Sequence, residues 1–221
     1  MSIAENIRTV TQKLAGTGCR LIAVTKTKPA ELLLEAHGAG CKTFGENRVQ
    51  EMVEKYEQLP KDIDWHLIGH LQTNKVKYMA PFVRLVHSVD SFKLLQEIDR
   101  QAAKNSRVIE CLLQIYIARE ETKFGLSFDE ARELLAAPET AGLAHVRIVG
   151  LMGMATFTDD REQIRAEFRS LKQFFDSLKT APLPANAEMR ELSMGMSGDY
   201  DIAVEEGSTL IRVGSSIFGA R

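Results

Sequence analysis

The sequence predicts an α/β fold, a single (β/α)8 barrel of the TIM type with an extra helix ahead of its first strand. Three observations carry the prediction. Short apolar, strand-like runs alternate with stretches of helical spacing, and eight strands can be counted along the chain; parallel neighbours need such crossover helices. The length, 221 residues, suits an α/β barrel of roughly 200–250 residues. Glycine- and polar-rich clusters follow the strands, at the end where barrel sites are built. No linker, repeat or low-complexity segment divides the chain, so residues 1–221 read as one domain with 1–16 as its leading helix. An open doubly wound sheet is the second architecture, which the count of eight disfavours.

Each element has its own justification. Ile3, Ile7, Val10 and Leu14 recur at helical spacing, and Gly16 and Gly18 end that first helix. Leu21 to Val24 is an apolar strand closed by Thr25 and Lys26, after which Pro29 suits the first turn of a helix through Leu32–Leu34 that stops at His37–Gly40. Residues 41–44 form a second strand, and Val49, Val53 and Tyr56 mark the inward face of the helix after it. Residues 65–68 form a third strand, followed by a helix from about Thr73; residues 84–87 lead to a helix carrying Phe92, Leu95, Ile98 and Ala102. Residues 109–117 are the fifth strand, and Ser127 with Glu130 spells a capping box for the next helix. Residues 146–151 are the sixth. A long helix then presents Ile164, Phe168, Leu171, Phe175 and Leu178 on one stripe until Pro182 and Pro184 stop it. Residues 190–193 and 210–213 complete the set.

Composition narrows the class of ligand. With 28 basic and 30 acidic residues the net charge is −2, which gives no global attraction to nucleic acid or an anionic membrane. Cys19, Cys41 and Cys111 are odd in number and far apart, so neither a disulfide framework nor a zinc site is indicated and a reducing, cytoplasmic setting fits best. The first residues lack a basic flank followed by an apolar run, and no stretch approaches a membrane span. The expected ligand is small, with no nucleic-acid or membrane partner.

The chemistry centres on Lys26. A lysine at the C-terminal end of a buried strand is partly removed from water, which disfavours its charge and frees the amine to attack a carbonyl. Taken alone it reads first as a solvated lysine in a strand-to-helix turn, as most lysines after strands are. Across the same mouth, however, lie Ser193–Gly198 and Gly214–Ser216 after the last two strands, the usual place for a barrel's phosphate site. A phosphate grip facing a Schiff-base lysine describes a site for pyridoxal 5'-phosphate. His66 and His70 are four residues apart but straddle a strand end and Gly69, so they do not form a metal pair.

Six ordered motifs then make a resemblance. Ala-Val-Thr-Lys-Thr-Lys-Pro at 23–29, Phe-Gly-Glu-Asn at 44–47, the run Trp65–Lys75, Gly-Leu-Met at 150–152, Ser-Met-Gly-Met-Ser at 193–197 and the run Arg212–Gly219 closely resemble the pyridoxal phosphate homeostasis protein family, small relatives of the alanine racemase barrel. The resemblance runs from about residue 20 to the end. It implies that Lys26 forms the internal aldimine with Lys28 as its exposed neighbour. Asn47 is implied beside the cofactor ring with His66 and Met152 in the same wall. Ser197, Gly214 and Ser215 are implied to hold the phosphate, and Arg212 to face the pyridine nitrogen. Thr25 and Ser215 stand where relatives often carry serine and threonine, and Gly198 stands where an acid is common.

Arg212 also carries an argument of its own. Arginine only donates hydrogen bonds and stays charged, so it leaves the ring nitrogen unprotonated and the ring a weaker electron sink. The second reading of Arg212 is a barrel-interior arginine paired with Glu46 or Glu191. The expected function is a monomeric protein that holds the cofactor on Lys26 and serves its intracellular homeostasis, with apo-enzymes as recipients and amino-acid and keto-acid balance affected indirectly. The alternative is a weak amino-acid racemase. That reaction needs a base on each face of the substrate carbon, for which Tyr116 and Tyr200 are the candidates opposite Lys26. A class I aldolase is a third, less favoured reading.

Overall fold

The computed structural model describes residues 2–119 and 125–219 of the chain. Helix α1 (Ile3–Leu14) leads into β1 (Arg20–Val24), and the alternation continues through α2 (Ala30–Gly38), β2 (Thr43–Glu46), α3 (Val49–Gln58) and β3 (Asp64–Leu67). A 3-10 turn over Thr73–Lys75 precedes α4 (Val76–Met79), then come β4 (Leu85–Val89), α5 (Phe92–Lys104) and β5 (Ile109–Tyr116). The last part holds α6 (Phe128–Ala136), α7 (Pro138–Ala141), β6 (Val146–Met154), α8 (Arg161–Lys179), β7 (Ala187–Met196), α9 (Tyr200–Glu205), β8 (Leu210–Val213) and α10 (Ser215–Phe218). All eight strands are parallel and in sequence order, and β8 pairs with β1 to close the barrel.

The helices start where the chain supplies caps. Ser127 Oγ accepts the Glu130 amide and the Glu130 carboxylate accepts the Ser127 amide, the capping box legible in the sequence; Ser2 and Glu5 make the same pair at α1. Asp160 caps α8 through the amides of Glu162 and Gln163. Pro29 sits at the N-cap of α2, one residue earlier than a first-turn proline. Several strand boundaries move. β2 lies two residues later than its apolar run, because Gly45 and Glu46 continue the ladder to β3; β6 and β7 each run on to Met154 and Met196.

Two apolar layers result from the strand alternation. Outward residues such as Phe44 and Trp65 pack with Phe168 and Phe175 of α8 and the other helices in one continuous layer. Inside the barrel, Ile22, Leu85, Leu112, Val149, Met152 and Leu210 form a separate small cluster. The rest of the interior is polar: His66, His87, Ser193 and Arg212 are all buried there. No helix among the described residues is long and apolar enough to cross a membrane.

Candidate functional site

A cavity of about 420 Å³ opens at the C-terminal mouth of the barrel. Lys26, Asn47, Ser197, Arg212, Gly214 and Ser215 all line it. Six of the eight residues singled out in the sequence thus meet in one place, although they come from the ends of four different strands. His66 and Met152 do not join them. The wall positions on their strands are Ile68 and Met154, each two residues further along. Side chains of a strand return to the same face every second residue, so His66 and Met152 point inward one layer below. Met152 packs in the interior apolar cluster, and His66 borders a cavity at the opposite end of the barrel. His70 lies on the exterior beside Asp90, Nδ1 3.6 Å from Oδ2.

Lys26 is half-buried in the turn that follows β1, and its ammonium has no hydrogen bond or ion pair among the described residues. Its turn is heavily braced. The next residue, Thr27, has φ 63°, a region that a β-branched side chain rarely enters and that costs on the order of 1–2 kcal/mol. Glu51 Oε1 accepts the Thr27 amide at 2.5 Å. The buried Lys55 Nζ donates to Glu51 at 2.7 Å, to Glu46 Oε1 at 2.6 Å and to the Thr25 carbonyl at 2.7 Å. Thr25 Oγ1 donates to the same Glu46 oxygen at 2.6 Å. Burial pushes the Glu46 carboxyl above its ordinary value, and Lys55 and Thr25 only partly offset that. Lys28 is half-buried rather than exposed: its Nζ donates to the carbonyls of Phe218 and Gly219 at 3.2 and 3.1 Å, tying the turn to the end of α10.

The opposite side of the cavity is built from donors. Ser197 Oγ accepts the Gly214 amide at 3.2 Å, which joins the loops after β7 and β8. At the start of α10 the amides of Ser215 and Ser216 precede the bonds that Ile217 and Phe218 make to the Gly214 carbonyl, the position at which helix amides lack an intrahelical acceptor. Arg212 is 4% exposed, with Nη1 donating to Ser193 Oγ at 2.5 Å and Nη2 to the Gly153 carbonyl at 3.0 Å. Burial lowers it to about 10, so it stays a cation at neutral pH. Neither carboxylate of the second reading pairs with it. Glu46 is engaged by Lys55 and Thr25, and Glu191 by Arg20 and Thr209. The acid whose charge acts on it is Asp199, whose Oδ1 accepts the Met196 amide at 2.5 Å and whose carboxyl burial raises while the charge of Arg212 lowers it.

Asn47 is placed by a close approach of two turns. A Cβ on Gly69 would stand 2.4 Å from the Asn47 carbonyl oxygen, so only glycine lets the loop after β3 lie against the end of β2. Sequence reasoning missed Asp199, Glu51, Lys55 and His87. Asp199 carried a signal, an acid one residue beyond the Gly198 position; the others are read only once helix and strand are superposed.

A larger groove of about 670 Å³ lies on the N-terminal side beside α1. Its Arg20 and Lys42 are already paired with Glu191 and Asp62, and burial raises the thiols of Cys19 and Cys41, the latter to about 11. It therefore lacks the reactive groups of the mouth.

The sequence profile of the family described as alanine racemase, N-terminal domain, matches residues 1–221. A pyridoxal phosphate homeostasis protein of Aquifex aeolicus is 41% identical over 208 residues, which cover 93% of this chain and 89% of that one. The solved structure of PipY from Synechococcus elongatus without PLP is similar with a TM-score of 0.91 at 37% identity, covering 99% of this chain and 100% of that one. PipY with PLP bound gives 0.88 at 36% identity over the same shares.

Proposed function

This chain belongs to the alanine racemase N-terminal domain family and, within it, to the pyridoxal phosphate homeostasis proteins; from that premise we propose that it binds pyridoxal 5'-phosphate in the C-terminal mouth of the barrel. The observation that carries the reading is the convergence of an unpaired lysine, a buried cation and a cluster of hydroxyl and amide donors on one cavity of about 420 Å³. The residues fit the group. When bound, the cofactor supplies an aldehyde that an amine captures reversibly as a Schiff base. Lys26 and Lys28 both line the cavity; Lys28 is tied to the carbonyls of Phe218 and Gly219, which leaves Lys26 as the amine for that capture, and the braced turn around Thr25 and Thr27 holds it at the mouth. Ser197, Gly214 and Ser215 offer hydroxyls and amides to the phosphate, with no acidic side chain in that trio to repel it. Asn47, on the wall of the same cavity, would stand beside the ring.

Arg212 sets the character of the site. It offers donors only, so it meets the lone pair of an unprotonated ring nitrogen, and such a ring is a poor electron sink. That favours a protein that holds and releases the cofactor over one that drives demanding carbanion chemistry. Its place would be in intracellular cofactor homeostasis, acting as a single copy that delivers to apo-enzymes and so affects amino-acid and keto-acid balance indirectly. The racemase alternative needs a second base. Tyr200 faces a separate groove beside α1, with Lys13 Nζ 5.7 Å from its ring centroid, and Tyr116 is absent from the cavity wall.

The test is borohydride trapping of the protein loaded with pyridoxal phosphate. Wild type is expected to retain cofactor on Lys26 after denaturation, whereas Lys26→Ala retains none and still binds it noncovalently with lower affinity. Trapped cofactor in Lys26→Ala at the wild-type level would overturn the assignment. Incubation with L-alanine and chiral analysis separates the two functions, since rapid appearance of D-alanine would make the protein a racemase.

A further inference from the structure

The barrel interior contains a polar column that the proposed binding site does not by itself require. Arg212 Nη1 meets Ser193 Oγ at 2.5 Å; Ser193 Oγ lies 3.0 Å from His87 Nδ1; His87 Nε2 lies 3.0 Å from His66 Nδ1. Each member is buried. The column starts at the cofactor cavity and ends at a second cavity of about 260 Å³ at the N-terminal mouth, which His66 borders together with Arg20, Arg84, Glu110 and Glu191. Four polar side chains in a row through a barrel are expensive to keep dry unless every group is satisfied.

Donor accounting gives the column one direction. Arg212 can only donate, so Ser193 Oγ accepts from it and keeps its own proton for another partner. Both imidazoles are neutral: burial takes His66 down to about 3 and His87 well below its ordinary value, and the nearby arginine charges push the same way. A neutral His87 that accepts from Ser193 at Nδ1 carries its proton on Nε2, where it donates to His66 Nδ1. His66 then carries its proton on Nε2. The opposite polarity would leave the Ser193 proton without an acceptor among the described residues. Every dipole therefore points its acceptor end toward the guanidinium, which is how a chain of hydrogen bonds stabilises and orients a charge.

We propose that Ser193, His87 and His66 are positioning residues, whose column of hydrogen bonds holds the Arg212 guanidinium against the ring nitrogen of bound pyridoxal phosphate. Two of the guanidinium nitrogens are tied down by Ser193 and Gly153, and the same side chain lines the cavity. The inference rests on the cofactor reading above and adds to it what fixes the specificity for a ring that contains nitrogen.

The experiment compares the affinities of pyridoxal phosphate and its 1-deaza analogue, in which carbon replaces the ring nitrogen, for wild type, Arg212→Gln, His87→Leu, His87→Gln and Ser193→Ala. A hydrogen bond from a charged donor is worth about tenfold or more in affinity, so wild type should prefer pyridoxal phosphate by roughly that factor. Arg212→Gln should bring the ratio close to one. His87→Leu and Ser193→Ala should shrink it several-fold while affinity for the deaza analogue stays the same, and His87→Gln, which keeps a polar group in the column, should restore part of it. Thermal melts identify any variant that fails to fold, and Ser193→Ala, the smaller change, then carries the comparison. A wild-type ratio retained in folded His87→Leu and Ser193→Ala overturns the positioning role. Equal loss of both ligands does the same, since it would mark general damage to the cavity. Absence of binding by wild type would instead refute the cofactor reading, and this inference with it.

Discussion

His66 makes a neutral imidazole of the folded state into a measurable stability effect. The unfolded chain takes up a proton near 6.5, whereas the folded protein refuses it until about 3. Between those values the unfolded state binds more protons, so stability rises with pH and falls on acidification, by about 1.4 kcal/mol per pH unit for each such imidazole. His87, displaced in the same direction, adds to the slope. Urea midpoints of wild type should therefore drop between pH 6.5 and 5, and His66→Leu should show a shallower drop. Glu46 and Asp199, both raised by burial, gain stability as pH falls, but they are common to both proteins and cancel in the comparison. Parallel slopes would show that His66 is not the group refusing the proton. At this scale much of the site was legible, because Lys26, Asn47, Ser197, Arg212, Gly214 and Ser215 sit in motifs directly at strand ends. The structure sets His66 and Met152 one pleat below the cavity wall, since a motif states which residues neighbour a strand end and the ladder decides which of them reaches the top layer. Lys55 and Glu51 were illegible, because a helical lysine nine residues after Glu46 looks like any solvated lysine until α3 lies over β2.

At the scale of elements, the register irregularity in β6 depends on Gly150. A Cβ there would lie 1.8 Å from the Glu191 carbonyl oxygen, and the residue has φ 151°. The ladder to β7 shifts register between Ile148 and Gly150, so the backbones approach closely at the position that re-aims the upper half of β6. That upper half presents the Gly153 carbonyl to Arg212. Gly150→Ala should cost about 3 kcal/mol or more in chemical denaturation, because backbone must move to admit the methyl group; a variant as stable as wild type would mean that β7 yields easily. Periodicity found all eight strands and the long helix α8, where a stripe of apolar residues has room to repeat. It did not find α7, and it took the 3-10 turn and α4 for one helix from Thr73, because one turn of helix holds too few residues to display a period. The ends of β2, β6 and β7 were short in the sequence because Gly45, Glu46, Gly153 and Gly195 lack strand propensity yet lie inside a closed ladder.

For the whole molecule, the single tryptophan is a natural reporter. Trp65 is fully buried between β3 and the helical layer, edge-on to Phe44 with ring centroids 5.9 Å apart. Since the outer apolar layer is continuous around the barrel, its loss should coincide with loss of the barrel. The emission of Trp65 and far-UV circular dichroism should report the same denaturation midpoint; separate midpoints would show that part of the ring melts on its own. The closed ring has one more consequence. Because β8 returns to β1, every strand has a neighbour on both sides, and the sheet offers no row of free amides and carbonyls to which a visiting chain could add a strand. Delivery to an apo-enzyme, as proposed above, would therefore run through contacts with the side chains of helices and loops rather than through an added strand.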